Sequence, residues 1–292
     1  MSNQVFLALP SKGRLFQPSL ELLGSSGLIT YFPNDRSYQA ISRLKGLAVV
    51  FNRAADIPRM VENGVVDLGI TGRDLVKESG VDVEEVLPLN YGHAKLVLAA
   101  PSSRFNDLND LLKKDGFKVA TEFPNISRSF FKSLNANAEI ISVEGTSETM
   151  PNLGLSDCIV SVMSTGTTLL IHGLKVLSTI MDSQAVLIGN RNSLKNSEKQ
   201  QIIGSIISII QATQMAQGKK LLMMNVPEEC LKEVVGCLPC MSGPTISKVE
   251  SREPMWEVMT VVDSDKVFEV VYNVKNKGAR DILVLNIDKV II

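Results

Sequence analysis

Short apolar strands that stop at glycine- or hydroxyl-rich turns recur along this chain and alternate with helical stretches. Residues 5–9 form the first, closed by the turn at 10–14; residues 47–51 run into Arg53; residues 66–70 end at Thr71 and Gly72. A helix opening at Pro18 and a second over 55–63, ended by Gly64, fill the intervals. This is the strand–helix–strand rhythm of a mainly parallel sheet in an α/β fold.

The same rhythm predicts a second lobe. Residues 95–100 read as a strand and Pro101 as the crossing point, followed by strands at 118–121 and 140–143 and a helix through 127–134. Strands at 177–180 and 185–189 follow, the second returning to the first lobe. The expected division is lobe I at 1–98 plus 182–216 and lobe II at 99–181, with a ligand in the cleft between them. Ser197 is expected to cap a long helix whose Ile202, Ile203, Ile206, Ile207 and Ile210 recur at helical spacing. Residues 217–292 change plan: strand, helix, two strands, helix and strand give the βαββαβ order of a ferredoxin-like α+β domain. That domain offers no nucleophile or metal cluster, so a regulatory or interaction role fits it better than chemistry.

Composition narrows the function. A net charge of −1, a pI near 6.2 and 5% aromatic residues give no electrostatic or stacking case for nucleic acid. No apolar run reaches the ~18 residues of a membrane span, and the start of the chain lacks a basic leader, so a soluble cytoplasmic protein is expected. Cys237 and Cys240 form a CxxC, but only Cys230 lies near and His93 and His172 are distant, so free thiols are a better reading than zinc.

Chemistry concentrates in the turns. Residues 157–169 read as an apolar strand running into Ser164, Thr165, Gly166, Thr167 and Thr168, with a helix behind. Such a turn offers backbone N–H groups and hydroxyls to a phosphate monoester, and no lysine stands where a Walker A loop needs one. Lys12 and Arg14 follow the first strand, where cations face the crevice of an open sheet; a solvated basic turn is the alternative. Arg53 follows another strand, and Asp56 is placed to cap the next helix. Gly69 and Gly72 bracket a strand end beside Arg73 and Asp74, where glycine admits a ligand close to backbone. Glu148 can hold ribose hydroxyls or meet a magnesium ion through water.

Taken together these loops resemble ATP phosphoribosyltransferase, the first enzyme of histidine biosynthesis, in its long form with a C-terminal regulatory domain. The matching stretches are 8–15, 53–58, 64–74, 120–125, 145–157, 164–169 with Gly173 and Leu174, and Leu238 and Pro239 with Pro244, Thr245 and Ile246. The resemblance implies a two-lobed body similar to type II periplasmic binding proteins, plus an ACT-like ferredoxin-like domain. It implies that N1 of ATP displaces pyrophosphate from C1 of 5-phosphoribosyl 1-pyrophosphate, with Mg2+ carried by substrate rather than by direct side-chain ligation.

By the same resemblance, Lys12, Arg14, Arg53 and Glu148 are the catalytic set. Asp157, Ser161, Ser164, Thr165, Gly166, Thr167 and Thr168 would hold the phosphoribosyl donor, and Arg14, Arg53, Gly72, Arg73 and Asp74 would hold ATP. Histidine as effector would meet Leu238, Ser242, Thr245 and Ala279, in a homo-oligomer forming dimers and hexamers. The family usually carries an acid where this chain has Ser161; Asp157 lies on the same strand face by period two and is a partial substitute. That departure supports the rival reading, a non-catalytic histidine-sensing subunit or small-ligand binder.

Overall fold

The computed structural model describes residues 4–30, 39–239 and 243–291. Two compact units divide the chain, Met1–Ile207 and Ser208–Ile292. The first unit begins β1 (Val5–Pro10), α1 (Phe16–Ser26), β2 (Gln39–Ala40), β3 (Leu47–Asn52), α2 (Ile57–Glu62), β4 (Leu68–Gly72), α3 (Arg73–Ser79), β5 (Glu84–Pro88). It continues β6 (Ala94–Pro101), α4 (Leu108–Leu112), β7 (Phe117–Thr121), α5 (Pro124–Ser133), β8 (Ala138–Ser142), β9 (Cys158–Met163), α6 (Thr167–Ile171), β10 (Leu174–Ser183). β11 (Ala185–Gly189), α7 (Arg191–Lys195) and α8 (Ser197–Ala216) follow, α8 running on past the boundary. The second unit adds β12 (Lys219–Pro227), α9 (Leu231–Gly236), β13 (Thr245–Val249), β14 (Met255–Asp263), α10 (Val267–Asn276) and β15 (Arg280–Asn286).

The first unit holds two sheets. One has the order β2-β3-β1-β4-β11-β5, with β3, β1 and β4 parallel and β11 antiparallel to both its neighbours. The other has the order β10-β6-β9-β7-β8, with β9, β7 and β8 parallel and β6 antiparallel to β9. The reversed strands β6 and β11 are the ones that enter each sheet from the other, which makes 89–93 and Gln184 the links between them. The sequence pattern places the first crossing at Pro101. β6 already belongs to the second sheet, because Leu96, Leu98 and Ala100 pack with Phe117, Val119 and Phe131 in its core. A strand buried on both faces along most of its length lacks the alternation that would mark which sheet it joins.

Other differences are local. The predicted strand at 66–70 forms two residues later, as β4. Asp67 is spent on the bend before it, accepting from Phe6 N–H (2.8 Å), Ser193 Oγ (2.6 Å) and Lys199 Nζ (2.7 Å). Helix α8 is capped not by Ser197 but by Asn196, whose Oδ1 accepts from the Glu198 N–H at 2.9 Å. Asp56 occupies the N-cap position of α2 without a capping side-chain bond. α3 and β5 went unforeseen; β5 is an edge strand with no buried residue and so lacks the apolar run that marks a strand.

In the second unit the sheet order is β13-β14-β12-β15 with every neighbouring pair antiparallel, the ferredoxin-like arrangement. Leu222, Met224, Val226, Val258 and Val262 alternate inward along β12 and β14, and Val270 and Val274 of α10 pack on them one helical turn apart. No described helix is long and apolar enough to cross a membrane.

Candidate active site

β1, β3 and β4 are parallel, so their C-terminal ends open on one edge of the first sheet. Lys12 and Arg14 follow β1, and Arg53 stands exposed after β3. Thr71 Oγ1 donates to the Ala54 carbonyl at 2.7 Å and so ties the β3 loop to β4. β4 turns straight into α3 at Gly72, where a Cβ would lie 2.1 Å from Asp74 Oδ1; only glycine leaves Asp74 its position.

Asp74 organises this edge. It is 1% exposed, and its Oδ2 accepts from Arg14 Nη2 at 2.9 Å. Its Oδ1 accepts from Ser183 Oγ at 2.9 Å, while its own N–H donates to the same Oγ at 3.1 Å. Arg14 also donates to the Gly92 carbonyl. The Asp74 carboxylate thus aims Arg14. Arg73, the other charged residue here, is committed as well: its guanidinium pairs with Glu85 through Nε and Nη2, and its N–H donates to the Gln184 carbonyl at 3.0 Å.

The second sheet repeats the pattern. β7, β8 and β9 are parallel and end together. Glu122, just past β7, accepts from the Gly145 N–H at 2.7 Å and anchors the loop that carries Glu148. Ser161 Oγ donates to Glu148 Oε1 at 3.1 Å, so serine meets directly the carboxylate predicted beside a ribose. Beyond β9, Ser164, Thr165, Thr167 and Thr168 are exposed, and the Thr165 and Thr167 hydroxyls stand 3.2 Å apart. Gly166 begins α6 at φ 81°, in the left-handed region that glycine adopts without strain.

Asp157 does not join this group. It precedes β9, at the opposite end from Ser164, where its carboxylate accepts from Lys114 Nζ (2.6 Å) and the Lys118 N–H (2.9 Å). Burial pushes its pKa up, but those bonds and the Lys114 and Arg104 charges outweigh it and hold the group below the usual carboxylate range. Period two expects a shared face with Ser161, but β9 begins only at Cys158, so Asp157 stands before the strand and is held there by Lys114.

Two cavities flank Ser164. One, of 350 Å³, is lined by Lys12, Arg14, Ala54, Asp74, Glu122 and Phe123. The other, of 390 Å³, lies at the crossing strands and is lined by Arg73, His93, Lys95, Asp182 and Gln184. Between the lobes, Glu78 accepts from the Asn125 and Ile126 N–H groups, each at 2.9 Å, at the start of α5, and its carbonyl accepts from Asn125 Nδ2 at 2.9 Å. Ser183, Gln184, Glu122 and Glu78 escaped sequence reasoning; each acts through a contact dozens of residues away.

In the second unit Leu238 lines a 420 Å³ cavity with Lys266, Glu269 and Asn273. Thr245 begins the edge strand β13 and Ala279 is buried in the core, so neither lines that cavity. Ser242 lies outside the described residues, as does Cys240.

Comparison with known proteins follows the same division. Residues 53–212 match the family model described as ATP phosphoribosyltransferase, and residues 216–289 match that of its C-terminal domain. The ATP phosphoribosyltransferase of Saccharolobus solfataricus is 43% identical over 291 residues, covering 100% of each chain. That of Ignicoccus hospitalis is 45% identical over 283 residues, covering 97% of this chain and 98% of its own. Among solved structures, a chain of the ATP phosphoribosyl transferase (HisG:HisZ) complex from Thermotoga maritima superposes with a TM-score of 0.62 at 26% identity, covering 71% of this chain and 97% of that one.

Proposed function

The chain belongs to the ATP phosphoribosyltransferase family, whose reaction opens histidine biosynthesis, and we propose that its cleft carries out that reaction by alignment and charge neutralisation alone. The observation that supports this most is the opposition of two built edges. The Glu148–Ser161 pair and the hydroxyl loop at 164–168 stand on one, and an Arg14 aimed by buried Asp74 stands on the other. The loop takes the 5-phosphate, Glu148 takes ribose hydroxyls, and Lys12, Arg14 and Arg53 meet the phosphates of the two substrates. N1 of adenine carries its own lone pair, so no strong general base is required. As that pair closes the N1–C1 bond, the C1–O bond breaks and its electrons leave with pyrophosphate. Holding the two centres in line and neutralising the leaving group are then the work the protein has to do.

Among the described residues no group of three or more His, Cys, Asp or Glu is placed to hold a metal ion. Mg2+ in this reading arrives on substrate oxygens, the usual habit of that cation, and Glu148 is the carboxylate assigned to the ribose hydroxyls. When bound, Mg2+ neutralises developing charge on pyrophosphate. The direct test is formation of phosphoribosyl-ATP by the purified protein.

Ser161 gives a sharper test. Ser161→Asp places a second carboxylate where a hydroxyl now donates to Glu148 at 3.1 Å. Adjacent like charges need a cation between them. The variant is expected to keep or raise turnover at saturating Mg2+ and to lose it more steeply than wild type as Mg2+ is withdrawn. Rates across a Mg2+ titration decide; a clear loss at saturating Mg2+ in a folded variant shows a pocket built around serine.

Histidine is the effector in this reading, bound to the second unit near Leu238 and Thr245, with that unit also assembling oligomers. Inhibition follows from unequal affinity for two conformations of the assembly. Truncation before Lys219 is expected to remove histidine sensitivity. Undiminished histidine binding in a folded truncated chain places the effector elsewhere.

A further inference from the structure

The cavity at the crossing strands holds a cation that the mechanism above does not use. β6 lies between β10 and β9, and Lys95 is the register partner of Asp182 on one side and Met163 on the other. Val97, two residues on, is the partner of Ser161. Side chains two apart on a strand share a face, so Lys95 stands on the face of the second sheet that carries Ser161. The offset along the strand is roughly 7 Å, within reach of a lysine side chain extended toward a ligand held at Glu148 and Ser161.

Its charge is available. Lys95 is exposed, and among the described residues its ammonium has no hydrogen-bond or ion-pair partner. Arg73, in the same cavity, is taken by Glu85. Asp182, the only carboxylate among the described residues lining the cavity, forms no ion pair with Lys95, so Lys95 is the cation left there to meet an anion. The cavity adjoins Ser164, the first residue of the loop read as the 5-phosphate site, and its 390 Å³ accommodates a diphosphate.

We propose that Lys95, in the cavity beside Ser164, binds the diphosphate of the phosphoribosyl donor and holds the departing pyrophosphate. This rests on the reading of the cleft given under Proposed function. The C1–O bond breaks toward this cavity, and its electron pair goes to a pyrophosphate oxygen that Lys95 meets. The cavity lined by Lys12 and Arg14 on the other side of Ser164 is left for the phosphates of ATP.

Calorimetric titration of the full chain with pyrophosphate, ATP and ribose 5-phosphate, each alone with Mg2+, tests the assignment in wild type, Lys95→Met and Lys95→Arg. Lys95→Met is expected to weaken pyrophosphate at least tenfold and to leave ATP and ribose 5-phosphate within twofold. Lys95→Arg should recover most of the pyrophosphate affinity. In steady state, Lys95→Met should raise KM for the phosphoribosyl donor and leave KM for ATP unchanged. Unchanged pyrophosphate affinity in Lys95→Met overturns the proposal, as does a loss confined to ATP or shared equally by ribose 5-phosphate. A wild type that binds pyrophosphate through Lys95 yet forms no phosphoribosyl-ATP sinks the reading of the cleft and leaves the anion site standing.

Discussion

Gly166→Val is expected to weaken binding of 5-phosphoribosyl 1-pyrophosphate by about tenfold or more while the protein stays folded. Gly166 sits at φ 81° at the start of α6, a conformation that a β-branched residue adopts only under strain. An added Cβ would also meet Met163 Sδ at 3.3 Å, so either Met163 gives way or the turn opens. Opening the turn moves the backbone N–H groups and the Thr165 and Thr167 hydroxyls off a common centre. Each hydrogen bond lost to a charged phosphate is worth about 1.5–3 kcal/mol, and a tenfold change needs only one of them. The turn is a surface feature outside the two-sided core of its sheet, which is why the fold should survive. Thr165→Val removes one hydroxyl without strain and should cost less than Gly166→Val. Calorimetric titration with the donor, read beside a melting curve, checks both. Wild-type affinity in a folded Gly166→Val protein removes the loop from the site.

Asp74→Ala should strike stability and turnover together. The carboxylate is buried and accepts from Arg14 and Ser183, so its removal leaves a guanidinium and a hydroxyl facing an empty acceptor position. Breaking a fully buried charge pair costs about 3–5 kcal/mol, and about 2–3 kcal/mol is the expectation here because the Arg14 side chain keeps some contact with water. A loss of that size lowers the melting temperature by roughly 4–12 °C. The same change frees Arg14 to wander, which should cut kcat/KM well beyond what Lys12→Ala does. Asp74→Asn keeps an acceptor for Ser183 and should recover part of the stability but little of the turnover, since a neutral amide holds Arg14 weakly. A melting temperature for Asp74→Ala within about 2 °C of wild type would falsify this account of Asp74 as the anchor of the first edge.

What could be read from the chain beforehand follows a physical line. Strand–turn–helix junctions are local, so the loop at 164–168, the basic turn at Lys12 and Arg14 and the ferredoxin-like order after Lys219 were all legible from a few neighbouring residues. The βαββαβ pattern translated directly into the sheet order β13-β14-β12-β15. Depth along a strand was not legible. Period two put Asp157 and Ser161 on one face, yet the first lies before β9, tied to Lys114, and the second meets Glu148. Long-range side-chain pairing was invisible as well. Nothing near Asp74 announces Ser183 as its partner, and nothing near Glu78 announces the start of α5. Arg73 reads as an ATP ligand, and nothing near it announces its pairing with Glu85, on an edge strand that periodicity misses.

Ser161, where the resemblance leads one to expect an acid, poses the sharpest question of the site, because a binding protein and an enzyme can share every other feature of the cleft. The measurement that separates them is direct. The purified protein is incubated with ATP, 5-phosphoribosyl 1-pyrophosphate and Mg2+ at saturation, and phosphoribosyl-ATP and pyrophosphate are quantified by chromatography. The account predicts equimolar appearance of both products, dependent on Mg2+ and on both substrates. No adduct from a folded protein that still binds the donor would contradict it and leave the cleft a ligand-binding site without chemistry.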